Sequence, residues 1–260
     1  MGELTDKVAI ITGGGRGIGR NIALTYAREG ATIVVAARTV EPLQETCAEI
    51  ERRGGRAIYL RTDVAAEADC ERMVERAVDA FGRVDILVNN VGIAGPTAKI
   101  TNITLAEWQE SIDINLTGCW LASREALKRM AAQRSGNIVN ISSLAGRVGY
   151  PLRTPYAASK WAMIGLTQSL ALEWGREGIR VNGICPGAVA GDRIEQVIKA
   201  RATASGMTEE AVEQSIVGRS AIGRMVTEDE CARVALFLAS DASAGITGQS
   251  INVDAGIAMS

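Results

Sequence analysis

The sequence predicts an α/β protein: a single domain built on a doubly wound, mostly parallel seven-stranded sheet with helices on both faces. Two observations support this fold class. Short β-branched runs alternate with amphipathic stretches about every thirty residues, which is typical of βαβ units. The 260 residues also show no low-complexity linker and no internal repeat. We therefore expect residues 1–260 to form one domain.

The elements follow from these two periodicities along the chain. Each strand is a short run rich in β-branched residues, and we place seven: Val8–Thr12, Thr32–Ala37, Ala57–Arg61, Ile86–Asn89, Asn137–Ile141, Arg180–Ile184 and Ser250–Val253. Helical spacing of apolar residues fills the intervals: Ile18–Arg28, Pro42–Arg52, Ala66–Phe81, Leu105–Met130, Pro155–Trp174 and Glu228–Ala239. Glu41-Pro42 suits a helix start, because proline at the first helical position loses no helical hydrogen bond.

One segment, 188–224, does not follow the βα repeat. A Pro-Gly turn precedes it, and it contains two polar helical patches with balanced charge. An insertion after the carboxyl end of a late strand lies where ligand crevices form in such sheets. We interpret residues 188–224 as a substrate lid within the domain.

Composition excludes several functions. The chain has no histidine, which excludes Ser-His-Asp and Cys-His nucleophiles and metal sites that contain His. Acid/base chemistry must therefore use Tyr, Lys, Cys or a carboxylate. We expect no metal. Its 28 basic and 30 acidic side chains are interspersed, and only ten are aromatic, counting four Trp, four Tyr and two Phe. We therefore expect no nucleic-acid partner.

Cysteine usage and the N-terminus bear on compartment. The five cysteines are odd in number and include no CxxC, which indicates reduced thiols in a cytoplasmic protein. The first residues lack an apolar signal core, and no apolar run reaches the length of about 18 residues that spans a bilayer. We expect no membrane association.

The first strand ends in a glycine-rich turn, Thr12-Gly13-Gly14-Gly15-Arg16-Gly17-Ile18-Gly19, that opens a helix. Glycines allow the backbone to turn tightly and approach a phosphate, which the helix N-terminus stabilises. A P-loop would need Lys and Ser or Thr after the last glycine, where Arg20 and Asn21 stand. Strict GxGxxG spacing is absent too; the pattern is TGxxxGxG.

The tip of the second strand bears on the cofactor. It reads Ala36-Ala37-Arg38-Thr39, without the Asp or Glu that would grip both ribose hydroxyls of an NAD-type adenosine. Arg38 offers a bidentate fork to a 2′-phosphate, and Arg16 adds a second positive charge. We predict NADP as the cofactor in preference to NAD.

Tyr156 and Lys160 lie four apart at the start of a helix, so they share one face. An ammonium at that distance favours phenolate over phenol. Ser143 closes the fifth strand and Asn89-Asn90-Val91-Gly92 closes the fourth. Because carboxyl ends of parallel strands share one edge, we expect these groups to converge with the glycine turn.

With these motifs the whole chain resembles the short-chain dehydrogenase/reductase family, in its single-domain Rossmann form. Seven motifs of the family are matched in order. The TGxxxGxG turn is matched at Thr12 to Gly19, the adenine-contacting Asp at Asp63-Val64, NNAG at Asn89 to Gly92 and the helical Asn at Asn115. The Ser is matched at Ser143, YxxxK at Tyr156 with Lys160, and the PG turn at Pro186-Gly187. The resemblance implies contacts to the cofactor from Gly13, Arg16, Gly17, Ile18, Gly19, Arg38, Asp63, Val64, Asn90, Gly92, Tyr156, Lys160, Pro186, Gly187 and Val189.

The resemblance also implies a mechanism. Tyr156 exchanges a proton with the substrate oxygen while hydride passes between the carbon and the nicotinamide. Ser143 hydrogen-bonds that oxygen, Lys160 holds the nicotinamide ribose and lowers the tyrosine pKa, and Asn115 anchors a water relay. Two positions depart from the family: Val91 replaces the alanine of NNAG, and Gly191 stands where a Thr often bonds the carboxamide.

The substrate class stays open between alternatives. The leading prediction is a secondary alcohol or ketone, including polyol-like ones; the alternatives are a 3-oxoacyl thioester reductase and, remotely, a non-catalytic cofactor-binding regulator. Arg147 and Arg153 flank the helix of Tyr156 and leave an anionic substrate such as a sugar acid open, but we expect both to be solvated. The resemblance further implies a homo-tetramer or homo-dimer through the helices at 105–130 and 155–174.

Overall fold

The computed structural model describes residues 2–259 and contains one sheet of seven parallel strands. The strands are β1 Val8–Thr12, β2 Thr32–Ala37, β3 Ala57–Arg61, β4 Ile86–Asn89, β5 Gly136–Ile141, β6 Ile179–Pro186 and β7 Ser250–Val253, in the spatial order β3-β2-β1-β4-β5-β6-β7. This confirms the predicted fold class. The order reverses between β1 and β4, and ligand crevices form at such a point, beyond the carboxyl ends of the strands.

The helices cover both faces of this sheet. Within residues 2–259 they are α1 Gly17–Arg28, α2 Glu41–Arg52, α3 Glu67–Phe81, α4 Leu105–Ile112, α5 Gly118–Gln133, α6 Thr154–Trp174, α7 Asp192–Ser205, α8 Glu209–Val217 and α9 Glu228–Ala239. The two polar patches of segment 188–224 are α7 and α8. The predicted helix 105–130 is divided by one π-helical turn, Asp113–Thr117, which separates α4 from α5.

Two apolar cores lie on opposite faces of the sheet. In β1, Ile10 packs with α3 and α5 residues such as Met73 and Leu127, whereas Ile11 packs with Tyr26 of α1 and Leu238 of α9. All of β1 is buried, which explains its continuous apolar sequence, since helices cover both faces of a parallel strand. The two cores fix the strand ends that form the site.

Candidate active site

The glycine turn is shaped by close backbone approaches. Gly13 and Gly17 have φ angles of 68° and 59°, a region that favours glycine. A Cβ at Gly19 would lie 2.3 Å from the Gly13 carbonyl oxygen and 2.4 Å from Nδ2 of Asn90. The turn therefore brings bare backbone to the N-terminus of α1, a cradle that fits a phosphate group of a dinucleotide.

Hydrogen bonds join this turn to the end of β4. The backbone N–H of Asn90 donates to the Thr12 hydroxyl oxygen at 3.0 Å, and the backbone N–H of Val91 donates to the same oxygen at 3.2 Å. Asn90 Nδ2 donates to the carbonyls of Thr12 at 3.0 Å and Gly13 at 3.2 Å. The two strand ends at the switch point thus form one rigid unit.

A cleft of about 1190 Å³ runs along this edge of the sheet. Most residues predicted from sequence line it: Gly13, Arg16, Gly17, Ile18, Arg38, Asp63, Val64, Asn90, Gly92, Ser143, Tyr156, Lys160, Pro186, Gly187 and Val189. Gly19 and Asn115 do not line the cleft and lie behind it. The structure therefore brings the glycine turn, the tip of β2 and the YxxxK helix to one space.

Tyr156 is half-buried on the wall of this cleft, at the start of α6. Burial acts to raise the pKa of its phenol, but Arg193, the ammonium of Lys160, hydrogen bonding from Ser143 and Arg153 together outweigh it. The pKa of Tyr156 therefore lies below that of free tyrosine. A phenol whose pKa is lowered gives up its proton more readily, which suits Tyr156 to acid/base chemistry.

Lys160 is only 3% exposed and lies one turn further along α6. Its Nζ donates to the Ile141 carbonyl at 2.8 Å and lies 5.9 Å from the centroid of the Tyr156 ring. Burial lowers the pKa of Lys160, while the adjacent Tyr156 raises it. The bond to the end of β5 fixes the ammonium beside the phenol.

Asn115 is fully buried in the π-helical turn and holds the cleft wall from behind. Its Oδ1 accepts from Ile93 N at 2.7 Å, and its Nδ2 donates to Ile93 O and to Ser159 Oγ, both at 3.2 Å. A Cβ at Gly92 would lie 3.1 Å from Asn115 Oδ1 and 3.5 Å from Lys160 Nζ. Asn115 thus ties the loop after β4 to α6 beside the lysine.

The end of the cleft at the tip of β2 carries two free cations. Arg38 and Arg16 are exposed, and within residues 2–259 neither forms an ion pair or a side-chain hydrogen bond. Asp63 accepts from Ala65 N at 3.1 Å and shapes the turn after β3, with Val64 buried beside it.

The turn after β6 explains the departure at Gly191. Gly187 N donates to Val253 O at 2.9 Å, and Ala190 N to Val226 O at 2.9 Å, which places Val189 on the cleft. Gly191 precedes α7 with a φ of 135°, a conformation that threonine rarely adopts. Glycine at position 191 has no side chain to replace that of threonine, so a carboxamide contact would have to come from neighbouring groups.

The expectation that Arg147 and Arg153 are solvated is wrong. Arg153 is 3% exposed, its Nε donates to Ala94 O at 3.0 Å, and its guanidinium lies over the rings of Tyr150 and Tyr156. Arg147 is half-buried outside the cleft and donates to the Ser250 carbonyl. Spacing along the chain did not reveal that the loop after β5 folds Arg153 inward.

Sequence reasoning also missed two cleft residues. Arg193 donates to the Gly92 carbonyl at 3.1 Å, and Glu228 accepts from Asn21 Nδ2 at 2.7 Å beside the glycine turn. Burial and Asp192 raise the pKa of Glu228. Both side chains come from helices more than 30 residues after Tyr156, and only tertiary structure brings them to the site.

The described residues also bear on metal binding and on membrane insertion. Residues 2–259 contain no group of three or more His, Cys, Asp or Glu side chains arranged to hold a metal ion. Over the same residues no helix is both long and apolar enough to cross a membrane.

Comparison with known proteins gives the class. A model of the short chain dehydrogenase family matches residues 7–202. A 3-oxoacyl-(acyl-carrier-protein) reductase of Synechocystis sp. is 38% identical, with 100% of both chains covered. The cis-4-hydroxycyclohexanecarboxylate dehydrogenase of Sinomonas cyclohexanicum is 35% identical, with 98% of each covered. A crystal structure of NAD⁺-bound xylitol dehydrogenase superposes with a TM-score of 0.95 at 30% identity, covering 97% of this chain and 99% of that one.

The chain therefore belongs to the short chain dehydrogenase family. It is an oxidoreductase that uses a nicotinamide cofactor and acts on an alcohol or ketone, which confirms the class predicted from the sequence.

Proposed function

We propose that the protein is an NADP-preferring dehydrogenase or ketoreductase of a secondary alcohol or ketone, with Tyr156 as the acid/base. The observation that carries the proposal is the lowered pKa of Tyr156 on the wall of the cleft that also contains the glycine turn. A nicotinamide cofactor bound in the cleft would supply the hydride chemistry. The protein supplies position, electrostatics and the proton.

The roles of the side chains follow from their contacts. Tyr156 passes a proton to or from the substrate oxygen, and Ser143, on the same wall, hydrogen-bonds that oxygen. Lys160 keeps the phenol acidic and has donors left for a ribose hydroxyl, because its only hydrogen bond to residues 2–259 goes to Ile141. Asn115 fixes the loop at Ile93 and α6 at Ser159, and the resemblance assigns it the water relay.

Tyr156→Phe tests the proton transfer. Absorbance at the reduced-nicotinamide band is followed across a panel of secondary alcohols and ketones. We expect turnover to fall about 100-fold or more, since a general acid/base contributes about 10²- to 10⁴-fold. Tyr59→Phe, at an exposed position of β3, is the matched control, because it removes the same hydroxyl from a side chain that does not line the cleft. Full turnover by Tyr156→Phe would reject the mechanism.

The cofactor proposal rests on charge at the tip of β2. Arg38 and Arg16 line the adenosine end of the cleft with no acidic partner among residues 2–259, so a 2′-phosphate gains two attractive charges there. The xylitol dehydrogenase relative is NAD⁺-bound, so the two cofactors must be compared directly. Arg38→Asp is expected to move the ratio of kcat/KM towards NAD, and a wild type that prefers NAD would contradict the proposal.

Segment 188–224 is proposed as the substrate lid. Its helices α7 and α8 pack on each other through a small core of their own, Ile198, Ala202 and Val212. That core is separate from the two cores of the sheet, so α7 and α8 can shift together over the cleft. The lining of the cleft by Arg193 and Arg201, beside Tyr150 and Tyr156, supports this proposal.

A homo-tetramer or homo-dimer formed through α4, α5 and α6 is proposed from the resemblance. Exposed Trp120 and Trp161, at 43% and 51%, are apolar surface on these helices. Sedimentation as a monomer at micromolar concentration would contradict this assembly. A reducing compartment, the cytoplasm, is proposed because all five cysteines are free thiols.

A 3-oxoacyl thioester reductase is the second candidate, favoured by the 38% identity to the Synechocystis enzyme. It is tested with acetoacetyl thioesters and the corresponding simple ketones. Higher kcat/KM for every thioester would favour this candidate over a small-alcohol dehydrogenase.

A further inference from the structure

Seven arginines line the cleft, and within residues 2–259 none of them forms an ion pair: Arg16, Arg20, Arg38, Arg153, Arg193, Arg201 and Arg219. Arg153, Arg193 and Arg201 line the cleft beside Tyr150 and Tyr156. Eight other arginines of residues 2–259 lie within 4.0 Å of a carboxylate: Arg52, Arg53, Arg72, Arg83, Arg124, Arg134, Arg224 and Arg233. None of the three cleft arginines beside Tyr150 and Tyr156 does. We call these three the arginine cluster.

Arg153 is the buried member of the arginine cluster. It is 3% exposed, and its Nε donates to the Ala94 carbonyl at 3.0 Å, while no described residue accepts from its two Nη atoms. Its Cζ lies 5.3 Å from the Tyr156 ring centroid and 5.9 Å from that of Tyr150. A buried guanidinium without a counter-charge is costly, and an anion that enters the cleft offsets that cost.

The other two members come from α7, two turns apart. The Arg193 guanidinium donates to the Gly92 carbonyl at 3.1 Å, and Arg201 Cζ lies 5.5 Å from the Tyr150 ring centroid. Burial lowers the pKa of Arg153, and the charges of Arg193 and Arg201 lower it further, which places the three groups within electrostatic reach of one another.

The cleft carboxylates do not neutralise the arginine cluster. Five carboxylates line the cleft, those of Glu45, Asp63, Asp192, Glu228 and Asp229, and none of them forms an ion pair with the arginine cluster. The pKa of Glu228 responds instead to Asp192 and to Arg20, beside the glycine turn. The charged groups that act most strongly on the pKa of Tyr156, Arg153 and Lys160 are Arg193, Arg201, each other, Tyr150 and two cysteines, and no carboxylate is among them. The space in front of Tyr156 is therefore strongly positive.

We propose that the arginine cluster binds a carboxylate of the substrate, so that the substrate is a hydroxy acid and the product the corresponding keto acid. This inference rests on the proposed function, because it specifies the alcohol that Tyr156 acts on. Arg193 and Arg201 act as specificity residues with donors to spare, and Arg153 supplies buried charge behind them. An arginine fork matches the two oxygens of a carboxylate.

The test compares substrates that share a carbinol and differ in charge. The probes are cis-4-hydroxycyclohexanecarboxylate with its primary amide, and 3-hydroxybutanoate with 3-hydroxybutanamide. The ratio of kcat/KM for acid over amide is measured with saturating cofactor. It is expected to exceed about ten in at least one pair, since hydrogen bonds to charged groups outweigh neutral ones.

Variants test whether the arginine cluster causes the higher kcat/KM for the acid than for the amide. Arg193→Gln and Arg201→Gln, both near the surface, are each expected to lower the acid-to-amide ratio about tenfold or more. Arg176→Gln removes the same charge from an exposed position at the opposite edge of the sheet, before β6, and should keep the ratio. An effect on the pKa of Tyr156 alone would change both members of a pair equally, so the ratio separates the two roles.

The outcomes separate this inference from the proposed function. If the wild type had the same kcat/KM for each amide as for its acid, the carboxylate site would be overturned and the dehydrogenase would stand. The same holds if the arginine variants lost kcat/KM equally for acid and amide. Turnover of neither, even across simple secondary alcohols, would count against the proposed function. In that case calorimetric titration of each acid and amide into the enzyme with NADPH decides, and acid binding no tighter than amide binding overturns the inference.

Discussion

Replacing Gly19 by Ala tests whether close backbone packing forms the cofactor turn. The new Cβ would meet the Gly13 carbonyl oxygen at 2.3 Å and Asn90 Nδ2 at 2.4 Å. Contacts this short require movement, and one partner is backbone that cannot rotate away. The turn must therefore open, and the end of β1 separates from the loop after β4.

The cost follows from the bonds that opening breaks. Asn90 Nδ2 donates to the carbonyls of Thr12 and Gly13, at 3.0 and 3.2 Å, and each neutral bond contributes about 1 kcal/mol. The free energy of unfolding should fall by about 2 kcal/mol, which for a chain of this size lowers the Tm by about 4 to 8 °C. Cofactor affinity should fall as well, because the amides of the turn no longer converge on the phosphates.

Thermal melts and cofactor titration measure both effects. Gly175→Ala is the control, since Gly175 has a right-handed φ of -60° and open space around its Cβ position, so stability should be kept. In an Asn90→Ala background Gly19→Ala should cost less than in the wild type, because the two amide bonds are already absent while the Gly13 contact remains. Wild-type Tm and cofactor affinity in Gly19→Ala would refute the reasoning.

Three further outcomes are expected. Arg224 and the Thr227 amide lower the pKa of Glu230 to about 2, so the stabilisation from Glu230 is complete above its ordinary pKa of 4.5 and is lost as pH falls towards 2. Arg224→Met should therefore make the midpoint of urea unfolding less dependent on pH over that interval. An unchanged dependence on pH would contradict this. Burial raises the pKa of the Cys47 thiol to about 11 and those of Cys70, Cys119 and Cys231 to about 12. Ellman's reagent should therefore titrate the five cysteines, all buried, only after unfolding. A thiol that reacts in the native enzyme would contradict this expectation. Tyr26→Phe removes a 2.8 Å bond to the Ala235 carbonyl between α1 and α9 and should lower stability by about 1 kcal/mol in urea titration, with no change expected in cofactor affinity.

The sheet was predictable because its signal is local. All seven strands lie where β-branched runs stand, and β5 and β6 differ from the prediction only by small extensions at their ends. Likewise most predicted cofactor residues line one cleft, since parallel strands end at a common edge. Short-range periodicity and topology carry this information.

The division between α4 and α5 was not predictable from periodicity. The apolar pattern continues through the π-helical turn, and what favours the turn is tertiary: Asn115 bonds Ile93 and Ser159, which are far away in sequence. The prediction that Arg153 is solvated was wrong for a similar reason. Charge and position along the chain favour a solvated arginine, and only its bond to Ala94 and its packing on two tyrosines explain why it is buried.

The buried cations also relate stability to ligand binding. Lys160 and Arg153 are each 3% exposed, and neither has a carboxylate partner in residues 2–259, so the folded protein carries two desolvated positive charges beside one phenol. This arrangement destabilises the free enzyme relative to one with a neutral cleft. A ligand that brings negative charge removes part of that cost and binds only the folded state, so it stabilises the fold by mass action. The same positive charges that lower the pKa of Tyr156 therefore reduce the stability of the fold, which is the usual relation between activity and stability at a preorganised site.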